Sequence, residues 1–369
     1  PFVVERNLMS LNHYVTLGRS GLRVSPFCLG AMTFGEDWGW GSSVAEAEAI
    51  LTRYIEQGGN FVDTANAYTK GHSEKILGDY VRQRSQRRDE LVIATKFFAN
   101  LFPPDPNAGG ASRKSVTAAC DESLRRLQTD YIDLYWMHLW DRFTPIDETM
   151  RALDDLVTAG KVRYIGFSDT PAWKVAQAQV TAGFRGWAPL VALQIEYSLL
   201  ERTVEGELVP MAQELGLGVT PWSPLRGGVL TGKYTRENME DVQPGRGERV
   251  KSYFTEDTFR ILDELVRIAA DLKTTPAAVA LAWVQGKPGV DSTIIGARTM
   301  EQLEANLAGV TVRLDATQVA VLDQLSTPTH SFPTPFLEGA TTIMHAGSTV
   351  DGHPSERWLM APTNDEERY

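Results

Sequence analysis

Residues 221–234 read PWSPLRGGVLTGKY. Gly227, Gly232 and Lys233 match the spacing G-x-x-x-x-G-K of a triphosphate-binding loop, but Tyr234 stands where Ser or Thr would hold a metal ion. The fold turns on how this stretch is read. A triphosphatase loop follows the first strand of an open parallel sheet. Here the glycines follow LGVTPWS (217–223), the seventh apolar run of its kind along the chain. In barrels of eight βα units, phosphate groups commonly sit at the loops after the seventh and eighth strands. The glycines suit that role too. They let backbone N–H groups approach an anion, and Lys233 adds charge. A surface loop with an accidental Gly-Lys pair is the plain alternative.

The remaining runs decide between the sheets. They are FCLG (27–30), NFVDT (60–64), LVIATK (91–96), YIDLYWMH (131–138), VRYIGFS (162–168), LVALQIEYS (190–198) and DSTIIGA (291–297). Each is followed by a segment of helical spacing, such as 44–57, where Ala47, Ile50, Leu51 and Tyr54 share a face. The runs are continuous rather than alternating, as strands buried on both faces require. Eight such units predict an α/β fold, a (β/α)8 TIM barrel. A doubly wound sheet would want G-x-G-x-x-G after the first strand, and that motif is absent. YVTLG and LRVSPF, on either side of Arg19-Ser20-Gly21, predict an N-terminal β-hairpin. Residues 1–12 read as a poorly ordered leader and 13–328 as the barrel, with an insert at about 225–255. Residues 329–369, rich in Pro, Gly, Ser and Thr, read as a partly ordered C-terminal extension over the barrel mouth.

Composition narrows the function. The 369 residues carry a net charge of −11, which disfavours nucleic acid as a partner. No uninterrupted apolar stretch approaches 18 residues, which argues against a signal peptide or a membrane partner. Cys28 and Cys120 lie in apolar or helical patterns and read as reduced core thiols, so a cytoplasmic setting is expected. His13, His72, His330, His345 and His353 fall in the leader, a loop and the tail, and no H-x-H or H-E-x-x-H occurs. That disfavours a metal-dependent barrel hydrolase.

A barrel of this type places its chemistry at the C-terminal ends of its strands. Asp63, Lys96 and His138 end the second, third and fourth runs, and Tyr68 follows Asp63 by five residues. Singly, these residue types serve as helix cap, surface charge, structural imidazole and packing aromatic. Together they have a definite chemical sense. A Lys ammonium lowers the cost of a developing phenolate, and an Asp holds that ammonium charged. Such a Tyr gives a proton to a carbonyl oxygen or takes one from an alcohol. His138 can donate a second hydrogen bond to the same oxygen.

Asp63, Tyr68, Lys96 and His138 resemble the catalytic tetrad of the aldo-keto reductases. GGNFVDTANAYTKGHSEKILG (58–78), DYIDLYWMH (130–138), VRYIGFSD (162–169), LQIEYS (193–198) and TIIGARTMEQLEANLAG (293–309) extend the likeness over about 14–328. The resemblance implies reversible hydride transfer between NADPH and a carbonyl or alcohol. It also implies that Ser168, Asp169 and Gln194 hold the nicotinamide carboxamide, with Asp63 at the same cofactor. Asp169 departs from the more frequent Asn and, when ionised, only accepts hydrogen bonds. Trp222 takes the place of an aromatic that stacks on the nicotinamide and keeps a flat face for it. Ser223, Leu225, Gly227 and Lys233 are expected along the cofactor, which gives the opening stretch its role as a pyrophosphate cradle. After the eighth run come Gly296, Ala297 and Arg298, then Gln302 and Asn306 on one helix face. Arg298 has the planar fork that suits a 2′-phosphate and so favours NADPH.

For the substrate, Phe34, Trp38 and Trp40 in FGEDWGWG, with Phe97 and Trp140, are expected to form an apolar wall, and Trp358 of the tail to close it. A small-molecule aldehyde or bulky apolar ketone follows, in line with family members that reduce natural-product or toxin-derived ketones. The alternative is a regulatory NADPH-binding barrel similar to potassium-channel β subunits.

Overall fold

The structure, a computed structural model, describes residues 10–83, 87–239 and 250–368. Residues 1–9 of the expected leader and 240–249 of the expected insert lie outside the described residues. The described end of the leader packs on the barrel, with Leu11 buried in the core.

Eight short apolar runs become parallel strands: β3 (Phe27–Gly30), β4 (Phe61–Asp63), β5 (Val92–Phe97), β6 (Ile132–Met137), β7 (Val162–Ser168), β8 (Leu190–Glu196), β9 (Gly218–Trp222) and β10 (Thr293–Gly296). Neighbours pair in the order β10-β3-β4-β5-β6-β7-β8-β9. The ring is joined at its ends by the parallel bridge Val219–Val290, with Asp291 N–H donating to the Val219 carbonyl at 2.9 Å. This is the expected (β/α)8 barrel. Its helices include α1 (Val44–Glu56), α2 (His72–Gln83), α3 (Arg113–Leu127), α4 (Ile146–Thr158), α5 (Ala172–Arg185), α6 (Leu208–Leu215), α7 (Glu256–Leu272), α8 (Pro276–Gln285) and α9 (Met300–Leu307). Their starts are written locally. Ser43 and Glu46 form a reciprocal capping box on α1, and Thr275 with Pro276 opens α8.

Strand alternation divides the core in two. Successive side chains point to opposite faces. Ile93, Phe97, Tyr135 and Met137 face the helices, while Cys28, Phe61, Ala94, Leu134, Trp136 and Ala192 fill the barrel interior. Gly166 makes the interior layer possible: a Cβ there would stand 2.4 Å from the Trp136 ring. The predicted hairpin, β1 (Val15–Thr16) with β2 (Arg23–Val24), lays Leu17 and Val24 against the interior layer. Gly18 N–H donates to Asp291 Oδ2 at 2.7 Å, just before β10 begins. The hairpin thus stops the end of the barrel where the strands start, opposite the strand ends that carry the polar residues.

The tail holds more regular structure than its composition suggests. Helix α10 (Ala316–Leu325) closes the barrel sequence. Then α11 (Thr334–His345) and the small antiparallel pair β11 (Thr349–Val350) and β12 (His353–Pro354) follow. Pro335 in the first turn of α11 is tolerated because its missing N–H has no helical partner there. Thr334 Oγ1 donates to the Gly206 carbonyl at 3.2 Å, tying the start of the extension to the loop after β8. Helix α11 itself has no buried residue.

Candidate active site

Parity sends the strand-end side chains inward. Asp63 lies two residues beyond Phe61, Lys96 two beyond Ala94, and His138 two beyond Trp136, all interior positions. Lys96 is fully buried. Its ammonium pairs with Asp63 Oδ2 and donates to the Thr64 carbonyl at 2.9 Å and to the Tyr68 hydroxyl at 3.2 Å. Tyr68 reaches it from the loop after β4, where Thr69 and Lys70 take left-handed conformations. The His138 ring stands edge-on to Tyr68, with centroids 5.8 Å apart. The four residues named from the sequence therefore meet at one place.

The electrostatics of the cluster follow from burial and neighbours. Burial opposes the charge of Lys96, but Asp63 and Tyr68 outweigh it and hold its pKa above the ordinary value. Burial raises the Tyr68 hydroxyl, and the Lys96 charge works against that rise. Burial, with the Lys96 charge, lowers His138 to about 3, so its imidazole is neutral near pH 7. A neutral imidazole still carries an N–H to donate.

Around this cluster lie groups able to hold a dinucleotide. Ser168, at the end of β7, has a buried hydroxyl with no hydrogen bond of ordinary geometry. Gln194 on β8 spends one amide N–H on Asp63 Oδ1 at 3.1 Å, leaving its other groups free for a ligand. Trp222 is half-buried at the end of β9, and its indole N–H donates to Asp169 Oδ1 at 3.0 Å. Ser223 is left-handed (φ 52°), as are Gly227 (φ 64°) and Gly228 (φ 95°) in the loop that follows. A Cβ on Gly228 would stand 3.1 Å from the Lys233 ammonium, which lies 4.7 Å from the Tyr234 ring centroid. Tyr234 packs against Phe254, with centroids 5.1 Å apart, which explains an aromatic where a triphosphatase carries a hydroxyl. Leu225 accepts the Gly228 N–H at 2.9 Å.

Gly296, the last residue of β10, has open space where a side chain would stand, and Arg298 just beyond it is exposed. Gln302 and Asn306 brace this turn. Gln302 Oε1 accepts the Arg298 backbone N–H at 2.9 Å, and Asn306 Nδ2 donates to the Gly296 carbonyl at 3.0 Å. An unpartnered hydroxyl, an available amide, a flat indole, a glycine loop and an exposed guanidinium fit the parts of a phosphorylated nicotinamide dinucleotide. Among the described residues, no group of three or more His, Cys, Asp or Glu side chains could hold a metal ion.

The expected substrate wall divides. Trp38 stands 6.4 Å from the Tyr68 ring and 5.5 Å from Trp40, so both belong to the mouth. Asp37 anchors their loop through His72 Nδ1 at 2.7 Å. Trp140 packs edge-on against Trp173 at 5.5 Å. Phe34 and Phe97 lie elsewhere. Both are fully buried in the layer between strands and helices, and the Phe97 ring packs at a tilt against Tyr135, centroids 5.0 Å apart. The reason for Phe97 is parity: it follows Lys96 directly, so when Lys96 points in, Phe97 points out. Trp358, half-buried in the tail, has its carbonyl bonded by Ala361 N–H at 3.0 Å.

Several positioning residues escape a sequence reading. Glu74 is fully buried on α2, where it accepts from Thr95 Oγ1 at 2.5 Å and Arg126 Nε at 2.6 Å. This joins α2 and α3 to the strand that presents Lys96. Arg226, left-handed at φ 46°, pairs with Glu196 and lies 4.4 Å from the Tyr253 ring centroid. It fastens the glycine loop to the end of β8. Burial of Glu74 was signalled by the helical face of 72–83, whereas nothing local marks Arg226.

The Aldo/keto reductase family model matches residues 26–327. The chain is 40% identical over 321 residues to the uncharacterized oxidoreductase YrpG of Bacillus subtilis, covering 85% of this chain and 95% of that one. It is 36% identical over 356 residues to norsolorinic acid reductase B of Dothistroma septosporum, covering 94% and 90% respectively. It is 37% identical over 305 residues to a probable voltage-gated potassium channel subunit beta of Oryza sativa subsp. japonica, covering 81% and 91%.

Proposed function

The chain belongs to the aldo/keto reductase family and is an oxidoreductase of that type; from that premise we propose that it is an NADPH-dependent reductase of carbonyl compounds. The carrying observation is the Lys96 ammonium, buried between Asp63 and the Tyr68 hydroxyl. When bound, the reduced nicotinamide would supply a hydride to the carbonyl carbon. Tyr68 gives its proton to the carbonyl oxygen, so aldehyde or ketone becomes alcohol and the phenolate left behind faces Lys96. His138, neutral, donates a hydrogen bond that orients the oxygen. In the alcohol direction each transfer reverses.

Ser168, Gln194 and Trp222 would hold the nicotinamide, the loop Ser223–Lys233 the pyrophosphate, and Arg298 the 2′-phosphate. The indoles of Trp38 and Trp40 beside Tyr68 support a bulky apolar or aromatic carbonyl substrate. A ketone of the natural-product kind is favoured by the reductase relative of Dothistroma. Among the described residues no helix is long and apolar enough to cross a membrane. Two buried free thiols support a cytoplasmic setting.

The test is a titration of tryptophan fluorescence with NADPH, followed by turnover on a panel of aromatic aldehydes, quinones and polycyclic ketones. Saturable quenching with turnover in wild type, and quenching without turnover in Tyr68→Phe, is the expected result. Retained turnover in Tyr68→Phe would reject the proton donor. A second reading, a regulatory cofactor-binding barrel, is favoured by the rice relative; tight NADPH binding with no turnover across the panel would support it instead.

A further inference from the structure

Asp169 stands where the resemblance implies an Asn, and the exchange replaces a neutral amide by an acid. In the structure its Oδ1 accepts the indole N–H of Trp222 at 3.0 Å. Its backbone is left-handed at φ 42°, and its own N–H donates to the Gln194 carbonyl at 3.2 Å. The carboxylate is thereby fixed on the rim between β7 and β9, at the edge of the indole.

Its neighbours do not neutralise it. Among the described residues no Lys or Arg stands within ion-pair distance of Asp169. Lys96 is committed to Asp63, and Arg226 to Glu196. Glu196, at the end of β8, adds negative charge on the same side. Burial, with Glu196 in the same sense, raises the Asp169 carboxyl to about 6 against the hydrogen bonds of Trp222 and Ser168 and the more distant Lys96 charge. Near pH 7 it is therefore an anion, half-buried, with no cation of its own. Such a group is stabilised most by a cation brought into its low-dielectric surroundings.

We infer that Asp169 selects between the redox forms of the cofactor. Held at the edge of the indole that would stack on the nicotinamide, its carboxylate would favour the cationic oxidised ring over the neutral reduced one. This rests on the cofactor reading of the preceding subsection. The protein then binds NADP+ more tightly, relative to NADPH, than it would with an amide at this position. The bound equilibrium moves toward carbonyl reduction by the same factor, because that direction leaves the oxidised cofactor on the protein.

The experiment measures dissociation constants of NADP+ and NADPH separately by calorimetry, for wild type, Asp169→Asn and Asp169→Leu. Asn keeps an oxygen for the Trp222 N–H and removes the charge. Leu removes both. The expected result in Asp169→Asn is a ratio of the two constants shifted about tenfold toward NADPH, about 1.4 kcal/mol. Asp169→Leu should show a similar ratio shift with weaker binding of both forms. A ratio moving less than twofold, with both forms still bound, would overturn this inference and leave the cofactor reading standing. Absence of binding by either form to wild type would overturn both.

Discussion

Replacement of Lys96 by Met tests the site at its most buried point. The side chain is fully enclosed, and its ammonium lies 3.2 Å from the Tyr68 hydroxyl. At that separation, a unit charge and a phenolate interact by about 5 kcal/mol at an effective dielectric of about 20. The charge develops only as Tyr68 loses its proton, so the interaction belongs mainly to the transition state. Lys96→Met should lower the single-turnover rate of reduction about 10^3- to 10^4-fold. The substitution also strands Asp63, which is 2% exposed, and leaves the Thr64 carbonyl without its donor. Breaking such a pair costs about 3–5 kcal/mol of stability. The double variant Lys96→Met with Asp63→Asn separates the two effects, because it recovers much of the stability and none of the rate. The assay is stopped-flow loss of reduced nicotinamide absorbance with a saturating aromatic aldehyde, alongside thermal melting and cofactor affinity. A folded Lys96→Met protein that binds NADPH and reacts within tenfold of wild type would refute the proposed role of the ammonium.

Other outcomes follow from the same geometry. His138 is neutral when folded down to about pH 3, whereas an unfolded imidazole takes up a proton near 6.5. The unfolded chain thus binds more protons between those values, so stability is full above about 6.5 and falls as pH drops toward 3. His138→Gln should flatten that part of the profile in denaturant titrations, and an unchanged slope would place the titration elsewhere. Arg126→Met leaves the enclosed Glu74 carboxylate unpaired and should destabilise by about 3 kcal/mol, with Glu74→Gln in the same chain restoring part of it; melting curves decide. Arg298→Ser should weaken NADPH binding about tenfold or more and leave NADH nearly unchanged, since only a 2′-phosphate engages the guanidinium fork; equal weakening of both would reject that contact. Gly166→Ala drives a methyl group into the Trp136 ring and should cost about 1–3 kcal/mol, read by urea unfolding.

Much of this molecule is local in origin. The apolar runs specified β3 to β10 to within a few residues, because a strand buried on both faces needs continuous apolar side chains and little else. Strand parity carried Asp63, Lys96 and His138 into one mouth, and the same rule would have sent Phe97 outward had it been applied to that residue. Phe34 offered no such signal, because its loop has no fixed period. The tail helix went unread although Phe336, Leu337, Ala340, Ile343 and Met344 recur at helical spacing, because the Pro, Gly and Thr among and around them mark a loop by composition.

What the tertiary structure alone decided is partnership. Gln194 bonds Asp63 across 131 positions of chain, and Trp222 bonds Asp169 across 53. Arg226 chose Glu196, Glu74 chose Arg126, and the buried Ser168 hydroxyl was left without a hydrogen bond of ordinary geometry. Propensity and periodicity act over a few residues, so they fix which way a side chain points. Which charge or hydrogen bond it meets depends on the strands being closed into a ring, where distant positions come within 3 Å and burial makes each match or mismatch costly.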